Sequence, residues 1–101
     1  MIDGLKLTLP GDRLRAMLDR RIRWHVARAD SYARELERPG EQADAALRLL
    51  PEHILEHERD DHADRADMLK LIQAHIVPEE TYLLGERDLR FGDLLPDAAD
   101  W

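Results

Sequence analysis

The chain has 101 residues, no cysteine and a formal net charge of −7. A chain of this length forms one small domain, and the absence of cysteine excludes disulfides, thiolate metal sites and thiol catalysis. The acidic balance disfavours general binding to nucleic acid or to an anionic membrane surface. No apolar run approaches the roughly 18–20 residues of a membrane-spanning helix, and the N-terminus has no signal-peptide pattern. We therefore expect a soluble, cytoplasmic protein.

Residues 1–10 are predicted to form an extended arm. Leucines at positions 5, 7 and 9 alternate with polar residues, and a period of two is typical of a strand. Pro10-Gly11-Asp12 interrupts this pattern, and Asp12 can cap a following helix.

Two long helices are predicted, over about residues 12–38 and 51–77. In the first, apolar residues recur every three or four positions, and Pro39-Gly40 ends it. Pro51 suits the first turn of the second helix, which Pro78 ends. Residues 41–50 form either a short helix or the first turns of the second long one. The two helices are of equal length and flank a reversal, so we expect an antiparallel hairpin.

The tail, residues 78–101, contains two apolar segments around a turn-like stretch. Tyr82-Leu83-Leu84 and Leu89-Arg90-Phe91 flank Gly85-Glu86-Arg87-Asp88, which is the pattern of a loose hairpin or of two extended segments. A two-helix hairpin has little interior for them. They lie across its apolar face, pair with the N-terminal arm, or cover a neighbouring subunit. The fold class we expect is mainly α: one domain over residues 1–101, with an arm (1–10), the helices (11–77) and an extended tail, assembling into a helical bundle.

The run from Glu56 to His62 has seven consecutive residues without an apolar side chain. Seven residues pass about twice round a helix, so some of these groups must face whatever the helix packs on. A buried charge costs several kcal/mol unless it is paired or bound to a metal. The run is therefore a salt-bridged seam, a metal site or a solvated segment. An antiparallel alignment places it opposite the half of the first helix that contains His25, with that histidine near Asp64 and Arg65.

A metal site is one hypothesis for this run. His53, His57 and Asp61 are spaced by four residues and share one face of the second helix. Two histidines four apart chelate one ion, and an aspartate one turn later adds an oxygen ligand. The alternative function is thus a divalent-metal-binding protein, with or without metal-dependent activity, that holds Zn, Fe or Mn. The candidate ligands are His53, His57, Asp61, Glu58 and His25. The competing interpretation is a solvated acidic face.

An interaction surface is the preferred hypothesis. The aromatic residues Trp24, Tyr32, Tyr82 and Phe91, together with the leucine-rich arm, exceed what one hairpin can bury. Exposed apolar patches mark partner surfaces, and aromatic side chains are typical anchors. We expect a small acidic interaction or scaffold protein that self-associates, with a dimeric four-helix bundle favoured. In the competing interpretation, the tail folds back and buries these residues within one subunit.

No evident catalytic machinery is encoded. Ser31 is the only serine and has no Gly-x-Ser-x-Gly context, and no glycine-rich phosphate loop is present. No glutamate is followed three positions later by a histidine, as ferritin-like di-iron proteins require. Arg20 and His25 have an Arg-x4-His spacing that resembles the motif of HEPN-type RNases. In that family the motif lies late in a four-helix domain, whereas here it lies in the first helix.

Overall fold

The computed structural model describes residues 6–41 and 45–85. Within them the order is strand β1 (Lys6–Pro10), helix α1 (Gly11–Glu37), short helix α2 (Ala45–Arg48), helix α3 (Glu52–Ala74) and strand β2 (Thr81–Gly85). The prediction of a mainly helical protein with two long helices packed against each other is confirmed. None of the described helices combines the length and apolar character needed to cross a membrane. The predicted segment around Phe91 lies outside the described residues.

Two compact units make up the chain. One, which we call the terminal unit, contains residues Met1–Arg21 and Leu69–Trp101. The other, the middle unit, contains Ile22–Met68. Each long helix contributes one part to each unit.

In the terminal unit, β1 pairs with β2 in an antiparallel ladder. Leu9 lies opposite Tyr82, and Thr8 lies opposite Leu83. Directly opposed residues share one face of a sheet, and neighbours along a strand alternate between faces. Leu9 is 7% exposed and Leu83 is 67% exposed, so the sheet has one inward and one outward face. Of the three arrangements predicted for the tail, its described part adopts the pairing with the arm.

Backbone hydrogen bonds hold the start of α1 in the same unit. The amides of Gly11 and Asp12 donate to the carbonyls of Glu80 (2.6 Å) and Pro78 (3.1 Å). The first amides of a helix have no partner within it, and here carbonyls of the turn before β2 supply that partner. The Asp12 carboxylate accepts from the adjacent Arg13 amide, at 2.8 Å.

Helix α3 lies antiparallel to the first turns of α1 and ends three residues earlier than predicted. Gln73 Nε2 donates to the Arg15 carbonyl (3.0 Å), and Arg15 Nη1 donates to the Ile76 carbonyl (3.2 Å). After Ala74 the backbone changes to bonds that span three residues, and the Val77 amide donates to the Tyr82 hydroxyl (2.8 Å). The Ile76 carbonyl and the Val77 amide thus bond to the side chains of Arg15 and Tyr82, and they do not take part in the helical bonds that would have continued α3 to residue 77.

In the middle unit, a core of Tyr32, Leu47 and Leu55 joins α1, α2 and α3, with Leu36 and Leu50 packed against it. The first of the two predicted arrangements for residues 41–50, a separate short helix, is the one observed. Helix α1 ends at Glu37, one residue before the predicted end. Gly40 follows with φ of 86°, a conformation that favours glycine after a helix.

Candidate functional site

Five side chains of the middle unit form a cluster that we call the histidine–aromatic cluster. Four of them lie on α1 and one on α3. At 3.6 residues per turn, positions 24, 25, 28 and 32 fall on one side of α1, so the helix geometry brings them to a common surface. The members are Trp24, His25, Arg28 and Tyr32 of α1 and His62 of α3.

The two histidines bond directly to each other. The Nδ1 atoms of His25 and His62 are 2.8 Å apart, which is a hydrogen-bond distance. Such a bond requires a donor on one ring and a lone pair on the other, so at least one imidazole is neutral. His25 is 2% exposed, and the His62 side chain is 12% exposed. The pair is therefore a nearly dry polar contact between the two long helices.

Aromatic rings surround this pair and fix its orientation. Trp24 presents an edge-to-face arrangement to both histidines, with centroid distances of 4.9 Å to His25 and 5.4 Å to His62. Tyr32 stacks on His62 at 5.8 Å with an interplanar angle of 10°. Both are arrangements that aromatic pairs prefer. Rotation of either imidazole would break several of these contacts at once.

The Arg28 side chain lies against the two aromatic residues of the cluster. Its guanidinium lies 5.9 Å from the Trp24 centroid and 5.2 Å from the Tyr32 centroid, within cation–π range. Arg28 Nη2 also donates to the Tyr32 hydroxyl at 2.8 Å. Its Nε is buried with no hydrogen-bond partner in the part of the chain that the structure describes. One cation therefore holds the two aromatic residues in place.

Two carboxylates complete the polar surroundings. Glu58 Oε2 lies 3.7 Å from His62 Nε2, the ring nitrogen that faces away from His25. Glu35, on α1, is 3% exposed and accepts from the Gly40 amide at 3.0 Å. Its second oxygen has no hydrogen-bond partner among residues 6–41 and 45–85. The Glu58 carboxylate thus lies beside the histidine pair, whereas the Glu35 carboxylate bonds the backbone of the turn that follows α1.

Comparisons with protein-family models, with curated proteins and with solved structures found no match.

The predicted metal ligands occupy different environments. His53 and His57 are exposed, and half-buried Asp61 pairs with Arg65, Oδ2 to Nε at 3.1 Å. Glu58 and His25 instead lie on either side of His62. Across the described residues, no three His, Cys, Asp or Glu side chains come together in a group that could hold a metal ion. Metal binding by the predicted residues stays a prediction.

The residues predicted to bind a partner also lie in different parts of the structure. Trp24 is half-buried and Tyr32 is 6% exposed, both within the histidine–aromatic cluster. Tyr82 is half-buried in the terminal unit, where its hydroxyl bonds the Val77 amide. Phe91 lies outside the described residues. The role of these residues in binding a partner stays a prediction.

The charged side chains of the polar run in α3 form ion pairs mainly with other side chains of the same helix. Arg59 Nε pairs with Asp60 at 3.0 Å, and Asp61 pairs with Arg65 on the following turn. His62 makes the hydrogen bond to α1. The predicted site did not include His62, and its contact with His25 was missed. The sequence signal for that contact was a histidine on each long helix, within about one turn of the predicted alignment.

We expect the protein to lose stability as the pH falls below about 6.5, partly because of His62. Burial lowers the pKa of His62 below its ordinary value of 6.5, the charges of His25 and Arg28 lower it further, and Glu58 and Asp61 act in the opposite direction. The unfolded chain then takes up the proton first, so acidification favours unfolding. Urea denaturation at pH 7.5 and 5.5 measures this. His62→Gln should lessen the loss, whereas His57→Gln, at an exposed position of the same helix, should leave it unchanged. An equal loss in all three proteins would contradict the assignment.

Proposed function

We propose that this protein is a small acidic interaction module that acts by self-association, and that two copies meet through their terminal units. The observation that carries the proposal is the exposure of Leu71 (66%) and Leu83 (67%) in that unit. Burying a leucine side chain contributes about 1.5–3 kcal/mol. A contact that covers both leucines on each copy has a substantial driving force.

The terminal unit exposes two further apolar side chains besides Leu71 and Leu83. Leu7 (36%) and Val77 (41%) belong to the same unit. Leu7 and Leu83 lie on β1 and β2, Leu71 lies on α3, and Val77 lies in the segment after α3. Single exposed apolar residues are ordinary, but several in one small unit are typical of a partner surface.

Charge favours the terminal unit as the place where two copies meet. By sequence, the terminal unit has eight basic and ten acidic residues, a net charge of −2, and the middle unit has seven basic and twelve acidic residues, a net charge of −5. Two identical acidic chains repel each other least through the less charged unit. The small size of the chain adds to this argument, since a core of about 100 residues buries a limited share of its surface.

The test is the concentration dependence of mass by sedimentation or light scattering. We expect the wild-type protein to form a dimer, and Leu71→Glu or Leu83→Glu to weaken it about tenfold or more, because each places a charge in the contact. Leu49→Glu is the matched control, since Leu49 is 85% exposed but lies in the middle unit. It should leave the dimer intact, and circular dichroism should show that all variants are folded.

Two results would overturn the proposal. One is a wild-type chain that stays monomeric at concentrations of about 100 μM or more, far above a micromolar dissociation constant. The other is a dimer that Leu49→Glu disrupts while Leu71→Glu and Leu83→Glu do not.

A further inference from the structure

Within residues 6–41 and 45–85, strand β2 has a partner strand on one side only. The described sheet has two strands, in the order β1–β2, so each strand has one outer edge. A two-stranded sheet is only marginally stable by itself, and an open strand edge is a template for pairing with another chain. The outer edges of this sheet are therefore positions at which another copy can add strands.

The two outer edges differ in their sequences. Strand β1 reads Lys-Leu-Thr-Leu-Pro, and β2 reads Thr-Tyr-Leu-Leu-Gly. Proline lacks the backbone N–H that a strand ladder requires, and lysine and proline are residues with which natural edge strands discourage pairing. Strand β2 contains neither of them and no charged residue. Its edge is thus the better template for a further strand.

We propose that two copies of the chain pair along the outer edges of their β2 strands, antiparallel about a two-fold axis at Leu83. The two sheets then form one sheet of four strands, in the order β1–β2–β2–β1. This inference rests on the proposed self-association through the terminal units, and it specifies the contact through which that association occurs.

The side chains of β2 match those of a second β2 strand in this register. Leu83 lies opposite Leu83 of the second copy, and Tyr82 lies opposite Leu84 of the second copy. Directly opposed side chains share one face of a sheet and contact each other. Leu83, which is 67% exposed, is then covered by a leucine. Tyr82 and Leu84, which are half-buried, continue the inward apolar face across the axis.

Charge favours a second copy as the occupant of this edge. The chain has a net charge of −7, so two copies repel each other where their acidic groups come close. The five residues of β2 are all uncharged. Antiparallel pairing of β2 with itself therefore places no like charges opposite each other within the paired strands, an arrangement that would destabilise a sheet.

Single cysteines test this arrangement, because the chain has none of its own. Leu83→Cys places two thiols at the axis, where opposed Cβ atoms are about 4.5–5.5 Å apart and a small adjustment allows a disulfide. Thr8→Cys is the matched control, since Thr8 lies opposite Leu83 on β1. Strands are about 4.8 Å apart, so the two Thr8 positions are about 14 Å apart, too far for a disulfide. We expect Leu83→Cys to cross-link about tenfold faster or more under mild oxidation.

Amide hydrogen exchange of the wild-type protein tests the same edge without a substitution. In an antiparallel ladder, the backbone groups of successive residues point alternately to the two sides of the strand. Either the Leu83 amide or the amides of Tyr82 and Leu84 therefore face the second copy. We expect that set to exchange about tenfold more slowly or less at concentrations that favour the dimer than after dilution to the monomer.

The outcomes separate this inference from the proposed self-association. A wild-type chain that stays monomeric overturns both. A dimer in which Thr8→Cys cross-links as fast as Leu83→Cys overturns the β2 pairing alone, and so does a dimer whose β2 amides gain no protection. Protection of the β2 amides that is equal at all concentrations also overturns the pairing, because the edge is then covered within one copy.

Discussion

Replacing Leu69 with alanine is expected to lower the free energy of unfolding by about 2–5 kcal/mol. Leu69 is 0% exposed and belongs to the part of α3 that lies in the terminal unit. Removing a buried isopropyl group loses its transfer free energy and leaves a cavity that neighbouring atoms fill only in part. For a protein of this size, whose total stability is about 5–15 kcal/mol, that loss is a large fraction of the whole.

Urea denaturation of wild type and variant measures this difference. Leu49→Ala is the control, since it removes the same atoms from a side chain that is 85% exposed, and we expect it to change stability by about 0.5 kcal/mol or less. Similar small effects for Leu69→Ala and Leu49→Ala would show that Leu69 is not part of a packed core.

Gly11→Ala is the second substitution for which we expect a large loss, although helix propensity predicts a gain. Alanine in place of glycine stabilises the interior of a helix by about 0.5–1 kcal/mol, and Gly11 is the first residue of α1. At Gly11, however, a Cβ would lie 1.9 Å from the Val77 carbonyl oxygen and 2.8 Å from the carbonyl carbon. Both are backbone atoms, so the turn before β2 would have to move. The bonds from the Gly11 and Asp12 amides to that turn would be lost.

We therefore expect Gly11→Ala to destabilise the protein by about 3 kcal/mol or more, as overpacking and two broken hydrogen bonds together imply. Gly40→Ala is an instructive comparison. Its Cβ would meet nothing within 4 Å, but Gly40 has φ of 86°, so its cost is about 1–2 kcal/mol of backbone strain. Thermal denaturation of both variants tests the order. A neutral or stabilising Gly11→Ala would show that the close contact with Val77 is absent.

The helices of this protein could be predicted from its sequence because the signals for them are local. Apolar residues at every third or fourth position predicted α1. Pro39, Pro51 and Pro78 predicted where the long helices begin or end. The predicted limits of α1 were within one residue of the observed ones. The end of α3 was three residues off, since the Ile76 carbonyl accepts from Arg15 and the Val77 amide donates to the Tyr82 hydroxyl, which are contacts made outside the helix.

Non-local choices were harder to predict. The alternation of leucines before Pro10 indicated a strand but did not identify its partner, and three arrangements of the tail remained open. The histidine pair shows the same difficulty. Spacing along α3 relates His53 to His57 and Glu58 to His62, but a contact between helices depends on their relative rotation and register. The alignment placed His25 near Asp64 and Arg65, about one turn from His62, its observed partner.

The make-up of the two units has a consequence for how the chain folds as it is synthesised. The middle unit is continuous in sequence, and its His25–His62 contact joins residues 37 positions apart. The terminal unit joins residues from both sides of it, with Gln73 and Arg15 separated by 58 positions and β1 paired to β2 farther apart still. Longer loops cost more entropy to close and slow the contacts that close them.

We thus expect the middle unit to fold before β2, the strand that pairs with β1, has been synthesised. Strand β1 is synthesised before both long helices, and β2 only after them. Until then, the backbone edge of β1 and the apolar side chain of Leu9 are open to other chains. Such unpaired edges are where nascent chains associate wrongly, and β1 is exposed to that hazard until β2 has been synthesised.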